Sequence, residues 1–194
     1  MSGSEERKPV RQRIIETAAE MFYREGVRAV GIDAIIARSG VAKMSLYRNF
    51  TSKDALVSAW LEERDAAFWR RWDRAEATCP GNSRGQLEAI LEMVAARVVQ
   101  PGWRGCPFLN TGNEFPGSDH PARAVILANK RAVYDRLRAL STAAGARDPD
   151  LLARQLQLVI EGAYTFGQTL GPEEPAQAVV ADAGRVLIAA QIAA

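Results

Sequence analysis

The chain has 194 residues, 47% hydrophobic and 25% charged, a globular balance that excludes a disordered or fibrous protein and a length that suits one domain or one plus a small module. Net charge is +2, but Arg7 to Lys53 carries ten Lys/Arg against four Asp/Glu, a local surplus of +6 that leaves −4 for the rest. A basic quarter on a near-neutral body points to a polyanionic partner at one end.

No apolar run approaches the ~18 residues of a membrane span, and no apolar stretch follows the charged N-terminus. Two cysteines, Cys79 and Cys106, and one histidine, His120, are too few for a disulfide framework or a histidine-based metal centre. The expectation is a cytoplasmic protein with no metal and no cofactor.

The pattern is helical from end to end. Ile14, Ile15, Ala18, Met21 and Phe22 form one stripe, opened by Pro9 and closed by Gly26. Ala34–Ser39 predicts a short helix stopped by Gly40, and Lys43–Phe50 another. A longer helix runs from Ser52 or Asp54 to about Arg74, and Cys79-Pro-Gly-Asn-Ser breaks it. Leu87, Ile90, Leu91, Val94 and Val98 mark the next helix. Residues 100–121, rich in Pro and Gly, are irregular or hold a short helix. Long helices follow over Ala122–Ala143 and around Leu152–Phe166. Gly171–Pro175 reads as a turn, and Ala176–Ala193 as a last, alanine-rich helix. No sustained alternation suggests a strand. The fold class is all-α, with about nine helices.

One unit carries chemistry. Gly40 bends the chain between two short helices, Val41 plugs the turn, and Leu46 and Phe50 share the buried face of the second arm. Lys43, Met44, Ser45, Tyr47, Arg48 and Asn49 stay on its other faces. Lys and Arg suit phosphates and guanine edges, Ser and Asn can hydrogen-bond, and Met offers an apolar contact to a thymine methyl. A helix of this length fits the major groove, where helix-turn-helix readers place their second helix. A solvated basic face is the bland alternative.

Arg13-Ile14-Ile15, Ala18, Phe22, Gly26, Ile35, Gly40-Val41, Leu46-Tyr47, Phe50, Lys53 and Leu56 resemble the N-terminal signature of TetR-type transcriptional regulators, over about residues 10–70. The resemblance implies a three-helix DNA-binding head (10–70, helix-turn-helix about 33–52) and a helical ligand-binding and dimerisation body (80–194). It also implies a homodimer on a palindromic operator in double-stranded DNA, released by a small-molecule inducer. On that resemblance Lys43–Asn49 form the recognition helix, Tyr47 contacts the DNA backbone, and Lys53 faces a phosphate at a helix N-terminus, where amide donors also favour anions. The chain departs from the pattern where Val30-Gly31 replace the usual Thr-Thr, where Ala42 replaces Ser, and where Met44 and Ser45 replace Gly and Thr. Gly31 can still cap a helix through its backbone.

Beyond residue 75 the resemblance weakens. Trp103, Cys106, Phe108, Tyr134, Tyr164 and Phe166 are candidates to line a ligand pocket, with ordinary core as the alternative. The segment Gly105–Asn110 with Glu114 is similar to a cysteine-bearing segment of TetR-type electrophile-sensing repressors; Cys106 is accordingly either a reactive trigger or packing. His120, before Pro121, reads as a turn or helix-start residue rather than a ligand. The small residues Ala176, Ala178, Ala181, Ala183 and Ala189, with Val179, Val186 and Leu187, suit a two-fold four-helix bundle. No phosphate loop, nucleophile elbow or partnered histidine supports an enzyme. The expected function is a repressor released by an inducer. A TetR-like activator, a ligand-independent regulator and a helical protein-interaction module are the alternatives.

Overall fold

The computed structural model describes residues 8–117, 119–170 and 176–192, and of 176–178 the backbone alone. Among them it forms α1 (Val10–Glu25), α2 (Ile32–Ser39), α3 (Lys43–Asn49), α4 (Lys53–Glu76), α5 (Ser83–Val98), α6 (Pro107–Glu114), α7 (Ala122–Ala143), α8 (Pro149–Thr169) and α9 (Ala176–Gln191), and no strand. The helix starts follow local chemistry. Ser52 Oγ accepts the Ala55 amide at 3.0 Å, Asn82 Oδ1 accepts Gly85 N at 3.0 Å, and Asp148 Oδ1 accepts Leu151 N at 2.9 Å. Each side chain supplies an acceptor that the first turn lacks. His120 behaves likewise, as its Nδ1 accepts the Ala122 amide at 3.2 Å. The Gly- and Pro-rich stretch 100–121 is a short helix, α6, between turns. The expected turn at Gly171–Pro175 lies outside the described residues.

The chain divides into two compact units, Met1–Arg64 with Pro107–Ile126, and Asp65–Cys106 with Leu127–Ala194. The first contains the three short helices, the start of α4, and α6. The second helix-turn-helix arm and its neighbours bury Ile14, Ile15, Phe22, Ile35, Leu46, Leu56, Val57, Trp60 and Leu61. Burial of side chains this large stabilises by roughly 1.5–3 kcal/mol each. Phe22 and Trp60 meet at 5.5 Å between ring centroids, a tilted pair.

In the second unit α5, α8 and α9 pack against one another. Leu87, Ile90, Leu91, Val94, Leu152, Leu156, Ile160 and Ile188 fill the space between them. Arg136 forks onto Asp73 at 2.8 Å and Glu76 at 2.7 Å, and Glu76 also accepts the Trp72 indole at 2.5 Å. Asp65 accepts both the buried Asn129 amide at 2.7 Å and the Trp69 indole at 3.1 Å.

α8 and α9 each leave an apolar stripe in solvent. Leu151 and Leu158 on α8, and Val179 and Val186 on α9, are exposed, and a spacing of seven puts each pair on one helix face. Ala181 departs from the expected outer face: it is buried within its own unit, because its turn of α9 points toward the core. The side chains of Ala176 and Ala178 lie outside the described residues.

Candidate nucleic-acid interface

The helix-turn-helix is held at its bend. Gly40 sits at φ 63, ψ 28, the left-handed region that only glycine enters at no cost. Its amide closes α2 on Ile36 O at 3.1 Å. Arg13 Nη2 donates to Ser39 O at 2.7 Å, so α1 caps the last carbonyls of α2 with a cation, the favoured sign there.

α3 then shows a clean division. Leu46 and Phe50 are buried, whereas Met44 (71%) and Tyr47 (43%) stand out among exposed large side chains. Lys43, Arg48 and Asn49 are exposed as well, and Ser45 is half-buried. Lys43 Nζ reaches Asp33 Oδ1 at 3.2 Å, an exposed pair that a phosphate can displace at small cost. Arg48 Nη2 donates to Ser45 Oγ at 3.1 Å, and Asn49 Nδ2 to Ser45 O at 2.7 Å. All six residues expected on the recognition surface therefore share one helix, five of them exposed.

Gly31 is the N-cap of α2 at φ −85, ψ 154, without a side-chain cap, and a Cβ there meets nothing within 4 Å. Lys53 begins α4. Its burial lowers the ammonium pKa from the ordinary lysine value, against the pull of the Asp54 and Glu114 charges. A cation held partly desolvated is poised for an anion.

A cluster that the sequence did not announce supports this surface. Glu114, at the end of α6, accepts Val27 N at 2.9 Å and Arg28 N at 2.7 Å, and so clasps the loop between α1 and α2. Gly26 precedes these amides at φ 91, and the carboxylate lies 3.3 Å from where its Cβ would stand. Arg28 covers the Phe115 ring at 5.1 Å, Phe115 stacks on His120 at 3.9 Å, and His120 Nε2 lies 3.4 Å from Asp54 Oδ1. Only the acidic end of α6 beside Phe115 hinted at this in the sequence, because its partners are backbone amides 87 and 86 residues away.

The residues proposed to line a ligand site are distributed unevenly. In the second unit Trp103 Nε1 donates to Tyr164 O at 3.4 Å, and the rings lie 5.5 Å apart. Burial pushes the Tyr164 hydroxyl well above the ordinary tyrosine range, with the Cys106 and Glu161 charges adding to it. Cys106 is buried, 5% exposed, and Lys130 Nζ stands 3.8 Å from its sulfur and 2.5 Å from Glu161 Oε1. Trp103, Cys106 and Tyr164 thus form one neighbourhood with Lys130 and Glu161. These two were missed: Lys130 is a charge on a face shared with Ile126 and Val133, whereas Glu161 stands between Gln157 and Thr165 on its helix and gave no such signal. Tyr134 and Phe166 lie elsewhere. The Tyr134 hydroxyl bonds to Asp150 and Arg154 covers its ring, while Phe166 faces solvent at 37%. Phe108 is buried in the first unit. Among the described residues no helix is long and apolar enough to cross a membrane.

Comparison with known proteins agrees with this architecture. Residues 14–60 match the family described as bacterial regulatory proteins, tetR family. The crystal structure of a TetR-family transcriptional regulator from Streptomyces coelicolor superposes with a TM-score of 0.89 at 30% identity, covering 94% of this chain and 95% of that one. The HTH-type transcriptional regulator YjdC of Escherichia coli is 23% identical over 154 residues, 78% of this chain and 80% of that protein. The HTH-type transcriptional repressor NemR of Escherichia coli is 26% identical over 92 residues, 47% of this chain and 46% of that protein. The helix-turn-helix with its basic second arm, the helical body and the full-length match to a solved relative place this chain in the TetR family of DNA-binding transcriptional regulators.

Proposed function

We propose that the chain is a homodimeric repressor whose two heads grip a palindromic operator and which a small molecule in the body releases. The observation that carries the reading is α3: a short helix fixed on the Gly40 turn, with Leu46 and Phe50 inward and Lys43, Met44, Tyr47 and Arg48 exposed. Lys53 and the capping amides of α2 behind Gly31 supply phosphate contacts on either side, which set register without reading sequence. One head offers too few contacts for tight specific binding at physiological salt, and the exposed stripes of α8 and α9 supply the means of pairing two. NemR is itself named a repressor, which supports that sense of regulation.

The inducer site of this reading is the Trp103–Cys106–Tyr164 neighbourhood. Cys106 is followed directly by Pro107, the first residue of α6, and the other end of α6 holds the α1–α2 loop through Glu114. A ligand at Cys106 thus acts one peptide bond from the helix that braces the head. An electrophoretic shift with DNA upstream of the chain's own gene tests the reading. Two chains per duplex, dissolved by one member of a small-molecule panel, is the expected result. A duplex left unshifted, or bound by a single chain, overturns it.

A covalent inducer is a second reading, favoured by the contact of the Lys130 ammonium with the Cys106 sulfur at 3.8 Å. N-ethylmaleimide then releases the wild type and the Cys79→Ser variant from DNA but spares Cys106→Ser. Equal release of Cys106→Ser makes the inducer non-covalent.

A further inference from the structure

The recognition helix presents an unusual ridge. With Leu46 setting the inward direction and 100° per residue, Lys43 and Asn49 fall beside the buried face, and Ser45 and Tyr47 on the flanks. Met44 and Arg48, one turn apart, point straight outward. Three polar residues of this surface have intramolecular ties: Lys43 to Asp33, Asn49 to the Ser45 carbonyl, and Arg48 to the Ser45 hydroxyl. Met44 is a large apolar side chain, 71% exposed, in the middle of a basic surface. Nothing among the described residues of its own unit covers it.

We propose that Met44 is a specificity-determining residue that reads the 5-methyl group of a thymine in each operator half-site. The inference rests on the DNA-binding reading of α3 and adds what its ridge selects. In the major groove adenine, guanine and cytosine present polar edges only, and thymine adds a methyl group. Pressing a thioether onto an amino group or a carbonyl strips it of water without a replacement partner, a net cost. Pressing it onto a methyl group removes apolar surface from water, a net gain. Methionine has the reach and torsional freedom to settle there. Arg48 lies four residues further along the helix, about 6 Å, so the guanine edge that suits its guanidinium falls about two base steps from that thymine.

The test begins with selection of duplexes from a random library by the full-length chain. Each thymine of the selected duplex is then replaced in turn by deoxyuridine, which removes the methyl group and nothing else, and binding is followed by fluorescence anisotropy. One thymine per half-site, about two steps from a guanine, is expected to be sensitive. Affinity falls about fourfold when one half-site is altered and about fifteenfold when both are, from the burial of one methyl-sized group per site. Met44→Ala is expected to bind the thymine and deoxyuridine duplexes alike within twofold, and Met44→Leu to retain part of the difference. Both variants change an exposed side chain, and an unchanged circular dichroism melt verifies that they fold. Deoxyuridine without effect at every position overturns the proposal, as does an undiminished effect in Met44→Ala. A library that yields no enriched sequence overturns the DNA-binding reading itself, a different failure from either of these.

Discussion

Removing the Glu114 carboxylate tests how the head is held. The side chain accepts two backbone amides, Val27 N at 2.9 Å and Arg28 N at 2.7 Å. Hydrogen bonds to a charged acceptor contribute about 1.5–3 kcal/mol each, but the two losses are unequal. Arg28 is exposed, and water takes over its amide in Glu114→Ala. Val27 is 1% exposed, so its N–H is left without a partner at a cost of about 1–3 kcal/mol. Together the change costs roughly 2–4 kcal/mol, since the Arg28 bond is largely recovered from solvent. Glu114→Gln keeps one oxygen but turns an NH2 toward the second amide, and loses about half as much. For a chain of this size each kcal/mol lowers the melting temperature by about 2–4 °C. The assay is thermal unfolding combined with amide hydrogen exchange. The Val27 amide is expected to exchange much faster in Glu114→Ala than in Glu114→Gln, with wild type slowest. Equal exchange at Val27 in all three proteins refutes the clasp.

Lys53→Gln removes a partly desolvated ammonium. Because folding lowers that pKa, the charge opposes folding at neutral pH and the penalty fades only as pH rises toward the ordinary lysine value. The variant is expected to melt higher at pH 7 yet bind all duplexes more weakly, with a salt slope shallower by about one per half-site; a gain of stability that vanishes at pH 7 and appears only near pH 11 reverses the sign of this argument. Val186→Glu places a carboxylate on the exposed stripe of α9 and is expected to leave each chain folded but sediment as a monomer, since an unpaired buried charge costs about 3–5 kcal/mol; an intact dimer moves the interface elsewhere. Gly167→Ala sets a Cβ 2.7 Å from Val98 Cβ and 3.0 Å from Val98 O. The backbone oxygen cannot step aside, so urea denaturation is expected to show a loss of about 1–3 kcal/mol, and unchanged stability contradicts the tight α5–α8 approach.

The helices were legible because their signals are local. Stripes such as Leu87–Val98 and stops such as Gly26 and Gly40 act within one or two turns. The head's outward residues were legible for the same reason: once Leu46 and Phe50 face inward, the helical period places the other six. Long-range polar contacts were not. Glu114 reaches amides in a distant loop, and Lys130 comes to Cys106 only when α7 lies over it; no periodicity encodes either meeting. Tyr134 and Phe166 show what helical spacing leaves open. An aromatic at helical spacing looks like a lining residue, but Asp150 and Arg154 give Tyr134 polar partners, and Phe166 falls on the outer side of α8.

The central claim is that the outward face of α3 binds DNA by sequence. The most direct measurement is the salt dependence of anisotropy-detected binding to a library-selected duplex, beside a scrambled duplex of the same composition. Log K is expected to fall linearly with log salt at a slope of about −4 or steeper for two heads, and the selected duplex to bind at least about a thousandfold tighter than the scrambled one. A slope near zero, or equal affinity for both duplexes, contradicts it.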